Sequence, residues 1–63
     1  MWLRVTMNDK PVMINGDLVL KIVERPGGET HRGCHVYFSL TEYLVVDQSL
    51  REMMISLGFE ERQ

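Results

Sequence analysis

The sequence predicts an α+β fold: a small antiparallel β-sheet of four to five strands, closed by one C-terminal α-helix. Three observations carry this reading. Over most of the first 46 residues, apolar side chains recur with the period of two that marks half-buried strands. Asn8-Asp9 and Asn15-Gly16 punctuate the first half, and Pro and Gly punctuate the middle. From Leu50 the period changes: Leu50, Met53, Met54 and Leu57 fall at i, i+3, i+4 and i+7, one face of a helix.

The first strand covers about residues 2–7, with Leu3, Val5 and Met7 on one face and Trp2, Arg4 and Thr6 on the other. Asn8-Asp9 tolerates left-handed backbone and predicts a tight turn. The second strand covers residues 11–14; Pro11 has no N–H for a ladder and belongs at a strand start or an edge. Asn15-Gly16 then predicts a type I′ hairpin turn. Residues 18–24 are apolar almost throughout and rich in β-branched side chains, which predicts a central strand, with a short helix as the alternative. Residues 24–33 hold Pro26 and three glycines and read as a loop, longer than a hairpin needs. A fourth strand is expected over 34–40, with Cys34, Val36, Phe38 and Leu40 on one face and His35, Tyr37 and Ser39 on the other. A turn near 39–42 leads to a fifth strand over 42–46.

The helix is expected over about residues 48–57. Either Asp47 or Ser49 suits the N-cap, and Ser49-Leu50-Arg51-Glu52 fits a capping box. Gly58 supplies a left-handed stop, after which Phe59 folds back on Met54.

With 63 residues the chain is one domain, 1–63. So short a chain buries only about 60% of its unfolded surface and commonly needs a staple or a partner. The single cysteine, Cys34, forms no internal disulfide, so a homo-oligomer, a dimer in the first place, is expected. A lone thiol also suits a reducing cytoplasm. The net charge of −2 gives no general attraction for nucleic acid, which disfavours that partner without removing it. No apolar run reaches the roughly 20 residues a membrane span needs, and Arg4 interrupts any leader-like start.

His31, Cys34 and His35 are the one cluster of soft metal ligands, but three within five residues do not close a four-ligand cage. No metal, cofactor or catalytic residue is expected: the alternation turns Cys34 toward the core with Val36 and Phe38, where a thiol is inert packing. Met7, Met13, Met53 and Met54 read as core filling, with the helix methionines over the sheet. The residue types that dominate interfaces are aromatic residues and arginine. Trp2, Arg4, Arg25, His31, Arg32, Tyr37 and Tyr43 are therefore the candidate partner-binding residues, on an aromatic-bearing sheet face and the loop 26–33. Stacking rings beside cations also suit single-stranded RNA, while two of these rings covering the second sheet face is the plain packing alternative.

Three stretches resemble one family. These are Val5-Thr6-Met7-Asn8-Asp9-Lys10-Pro11-Val12-Met13-Ile14-Asn15, then Ile22-Val23-Glu24-Arg25-Pro26, then Glu42-Tyr43-Leu44-Val45-Val46-Asp47-Gln48-Ser49-Leu50-Arg51-Glu52-Met53-Met54. Their order resembles the small FlbD-like flagellar and swarming-motility proteins of bacteria. The likeness covers most of the chain through short motifs. It departs in a longer 26–33 loop and in Asp47-Gln48-Ser49, which replaces the family's Glu-Ser step. The resemblance implies a non-enzymatic accessory role and carries over no catalytic residue.

Three functions remain: an accessory or regulatory module that binds protein in a bacterium, a phage or mobile-element protein that blocks a host machine such as a defence nuclease complex, and a small dimeric RNA-binding regulator. An acidic surface suits the second, because it can occupy a basic groove.

Overall fold

The computed structural model describes residues 1–26 and 32–59. Five strands are present: β1 (Trp2–Met7), β2 (Lys10–Asn15), β3 (Lys21–Glu24), β4 (Cys34–Tyr37) and β5 (Tyr43–Val46). A 3-10 helix spans Gly16–Leu18, and α1 spans Leu50–Ser56. No helix among the described residues is long and apolar enough to cross a membrane.

The strands form two antiparallel sheets, not the single sheet the sequence predicts: β1-β2, and β3-β4-β5 in that order. The division has a local cause. At the junction the Asp47 N–H donates to Thr6 O at 2.8 Å, a rung that would continue from β5 into β1. The next partner is a side chain. Gln48 Oε1 accepts from the Thr6 N–H at 3.0 Å, and its Nε2 donates to Thr6 Oγ1 at 3.0 Å. One carboxamide thus stands in for a strand's peptide group, and regular pairing stops there. The Asp47 carboxylate accepts from the Asn8 and Asp9 N–H groups at 3.2 and 2.9 Å. The connection from β5 to α1 therefore clips the β1–β2 hairpin at its turn.

That turn is the one expected at Asn8-Asp9. Both residues are left-handed, with φ of 53° and 65°, as a two-residue type I′ hairpin demands. Asn15-Gly16 does not form a second one. Asn15 is extended (φ −86°), and its side chain accepts from the Asp17 N–H, so it caps the 3-10 helix. The side chain's local hydrogen bond won over the left-handed backbone that a hairpin would require.

The stretch 18–24 is likewise not a central strand. Leu18 ends the 3-10 helix, and only Lys21–Glu24 is strand, at the sheet's edge; β4 is central. Leu18, Leu20 and Val23 are exposed, so the apolar run is not covered on both sides. The fourth strand stops at Tyr37, short of the expected 40. Ser39 Oγ accepts from the Thr41 and Glu42 N–H groups at 3.3 and 3.0 Å, which bends the chain back, and Leu40 is left 81% exposed instead of facing the core.

The core draws on every layer: Leu3 and Val5 from β1, Ile14 from β2, Cys34 and Val36 from β4, Val46 from β5, and Met53 from α1. Met53 is the one fully buried methionine; Met13 is exposed.

The helix begins later than residue 48 but with the predicted grammar. Ser49 is the N-cap: its Oγ accepts from the Glu52 N–H at 3.1 Å, and Glu52 Oε1 accepts from the Ser49 N–H at 3.0 Å. Asp47 serves the hairpin turn instead. At the far end Gly58 has φ +82°, and the Gly58 and Phe59 N–H groups donate to Ile55 O and Met54 O, the paired bonds of a Schellman motif. Ser49→Ala should lower stability by about 1 kcal/mol, the usual scale for a lost N-cap. A urea midpoint equal to the parent's would show that the box contributes nothing.

Candidate functional site

The surface that stands out is the outer face of the three-stranded sheet. Strand register sets its composition. Lys21, Tyr37 and Tyr43 lie side by side across β3, β4 and β5, and Val23, His35 and Val45 form the next row on the same face. The alternate residues Ile22, Val36 and Leu44 share the opposite face, toward the core. The outer rows are apolar and aromatic yet uncovered among the described residues: Val23 is 43% exposed, Tyr43 47% and Val45 37%.

The side chains of this face order one another. His35 stacks on Tyr43 with ring centroids 4.6 Å apart and planes 24° from parallel. Tyr37 tilts against Tyr43 at 5.0 Å. The Lys21 ammonium sits 4.6 Å from the Tyr37 ring centroid. Rings packed in this way hold fixed rotamers before any partner arrives, which reduces the ordering cost of binding.

The seven residues singled out from the sequence do not form one surface. Tyr37 and Tyr43 are on the outer face just described, whereas Trp2 and Arg4 belong to the hairpin, on the exposed side opposite Asn15 and Met13. Arg25 is exposed just past β3, and its N–H donates to Gly33 O at 3.3 Å. Arg32 is tied back: its guanidinium donates to Glu52 Oε1 at 2.5 Å, the same oxygen that accepts the Ser49 N–H. The Arg32 hydrogen bond, then that of the Ser49 N–H, holds the Glu52 carboxyl below the usual carboxylate range. His31 and most of the 26–33 loop lie outside the described residues. Lys21, Val23 and Val45 were missed. Their signal was the alternation itself, which pairs Tyr43 with Val45 and Lys21 with Val23 on one face.

Cys34 is fully buried, and burial pushes its thiol up to about 11, with the Glu52 carboxylate adding to the effect. A protonated, inaccessible thiol is not poised as a nucleophile. Cys34 and His35 point to opposite faces of β4 and share no site. Among the described residues no group of three or more His, Cys, Asp and Glu side chains is placed to hold a metal ion.

A polar cleft is lined by Thr6, Asp9, Arg32, Asp47, Gln48 and Glu52. Its occupants are the Gln48–Thr6 and Asp47–hairpin clips and the Arg32–Glu52 pair. The Asp9 N–H, then the Thr6 hydroxyl and the Asn8 N–H, hold the Asp47 carboxyl below its ordinary value. These groups join the hairpin to the helix.

No protein-family model, no curated protein and no solved structure matches this chain.

Proposed function

We propose that this protein is a non-enzymatic accessory or regulatory module of the bacterial cytoplasm that binds another protein through the outer face of its three-stranded sheet. The observation that carries this is the contiguous, pre-ordered patch of Lys21, Val23, His35, Tyr37, Tyr43 and Val45. Exposed aromatic and β-branched side chains in one plane mark interaction surfaces. The resemblance to the FlbD-like proteins supports an accessory role.

The size of the face sets the kind of contact. Strands spaced about 4.8 Å apart and rising about 3.3 Å per residue give a plane about 10 Å by about 13 Å. A stable interface needs about 800 Å² on each partner. The face therefore acts as an anchor within a larger contact, or in a transient one. A homodimer, expected for a short chain without staples, is supported by the exposed apolar side chains elsewhere, Trp2, Met13 and Leu40 among them.

One experiment tests both. The purified 7.4 kDa chain is sized by light scattering and then used as bait beside a Val23→Ser/Tyr43→Ala variant and a Trp2→Ala control, all checked by circular dichroism. The expected result is a dimer mass and protein capture that the face variant loses and the control keeps. Losing one anchor of this kind costs about 2 kcal/mol or more, roughly 30-fold in affinity. Capture unchanged by the face variant would overturn the site. Capture abolished by ribonuclease would replace it with the RNA-binding reading.

A further inference from the structure

β3 borders the aromatic face and also forms an edge of its sheet. Among the described residues no strand pairs with its outer side. The antiparallel register and the Arg25 N–H to Gly33 O bond fix which backbone groups are spent. Lys21, Val23 and Arg25 direct theirs toward β4, so those of Ile22 and Glu24 face the open edge. An open edge is a template for another extended chain.

Beside this edge runs an apolar groove of about 450 Å³. Leu20 and Ile22 line it from the strand side, Leu50, Met54 and Leu57 from α1, and Phe59 stands at the helix end. Ile22 lies on the inner face of the sheet, so the groove opens on that side of β3. The outer side differs in charge. Alternation places Lys21 and Arg25 there, flanking Val23, while Glu24 falls on the inner side.

We infer that β3 and α1 together form a β-augmentation site for an extended peptide that alternates apolar and acidic residues. Such a peptide adds as a fourth strand to β3-β4-β5. Its main chain exchanges hydrogen bonds with Ile22 and Glu24. Its inward side chains enter the groove between β3 and α1, and its outward side chains stand beside Lys21 and Arg25. Main-chain bonds supply affinity in this mode, and the pockets for alternate side chains supply specificity. Directly opposed charges on neighbouring strands add to the preference for acidic residues. The outer aromatic face takes no part beyond sharing Lys21 and Val23, so the site stands even if that face binds nothing.

The test uses the full chain and a fluorescein-labelled synthetic peptide, Val-Glu-Ile-Glu-Val-Glu-Ile, read by anisotropy. Three comparison peptides accompany it: one with the same residues in blocks, one with lysine for glutamate, and one N-methylated at two alternate amides on the edge-facing side. The alternating acidic peptide should bind best, and N-methylation should weaken it about tenfold or more, because it removes main-chain donors and leaves every side chain in place. Lys21→Glu/Arg25→Glu, two surface changes, should invert the preference toward the lysine peptide. Tyr43→Ala should leave peptide binding unchanged, which separates this site from the aromatic face. Three results would each overturn the inference: equal binding of the block peptide, indifference to N-methylation, or a charge preference that the double variant does not move. Peptide binding that rises only as the square root of chain concentration, with a dimer mass in light scattering, would show instead that the edge belongs to a second copy.

Discussion

Replacing Met53 with alanine should leave the chain largely unfolded at room temperature. Met53 is 0% exposed and is the only buried residue of α1. The helix has seven residues, too few to persist in water alone, so its existence depends on what it buries. Truncating a buried methionine to alanine removes about 2–5 kcal/mol, part transfer and part cavity. A core of this size supplies roughly 3–5 kcal/mol in all, so the loss is comparable to the whole. Urea denaturation followed by circular dichroism should give a midpoint near zero for Met53→Ala. Met53→Leu, which nearly conserves volume, should lose less than about 1.5 kcal/mol and separate packing from any general intolerance at the position. An alanine variant with the parent's midpoint would mean that α1 is not docked as described.

The helix was legible because its signals are local. A cap, a box and a glycine stop lie within ten residues, and Ser49, Glu52 and Gly58 perform these roles. The Asn8-Asp9 turn was legible for the same reason. Asn15-Gly16 carried an equally strong local signal and misled. Its outcome was decided by the Asn15 side chain, which accepts from the Asp17 N–H, together with a distant partner: the Gly16 N–H donates to Met1 O at 2.6 Å and holds the chain beside the first strand. The apolar run 18–24 misled because composition reports burial without saying what buries it. Its Ile22 does face the core, but Leu18 ends a 3-10 helix and Leu20 lies on a connector, where it lines a groove.

The division into two sheets was beyond the sequence because it depends on one side chain. Nothing in the local pattern marks Gln48 as a surrogate for a backbone rung. Its partner, Thr6, is 42 positions away. The candidate site was legible in part for a related reason. Alternation along one strand shows which residues share a face, and it placed Tyr37 opposite Cys34. Which strands lie side by side is a question of pairing. Only the order β3-β4-β5 brings Lys21, Tyr37 and Tyr43 into one row and leaves Trp2 and Arg4 on another sheet.

Gly33 should tolerate no side chain, although the sequence marks it as one more loop glycine. Its φ is +119°, a backbone conformation that an L-residue rarely adopts, and it is buried. A Cβ built there would lie 2.5 Å from the carbonyl oxygen of Val46. That oxygen belongs to the backbone of β5, opposite Cys34 in the ladder, so it moves only if the β4–β5 pairing opens. Backbone strain of this kind costs about 1–3 kcal/mol, and the overlap adds to it. Gly33→Ala should therefore lose about 2–4 kcal/mol, whereas the same change at an ordinary helix or strand glycine gains about 0.5–1 kcal/mol. The measurement is again the urea midpoint, with a D-alanine variant beside it. Cys34 follows directly, so ligation at the Gly33–Cys34 bond allows that variant to be made by synthesis. D-Alanine accepts a positive φ and moves its methyl off the Val46 oxygen, so it should be less destabilised than L-alanine. If the L-alanine chain matches the parent, the close approach of residue 33 to β5 does not exist in solution.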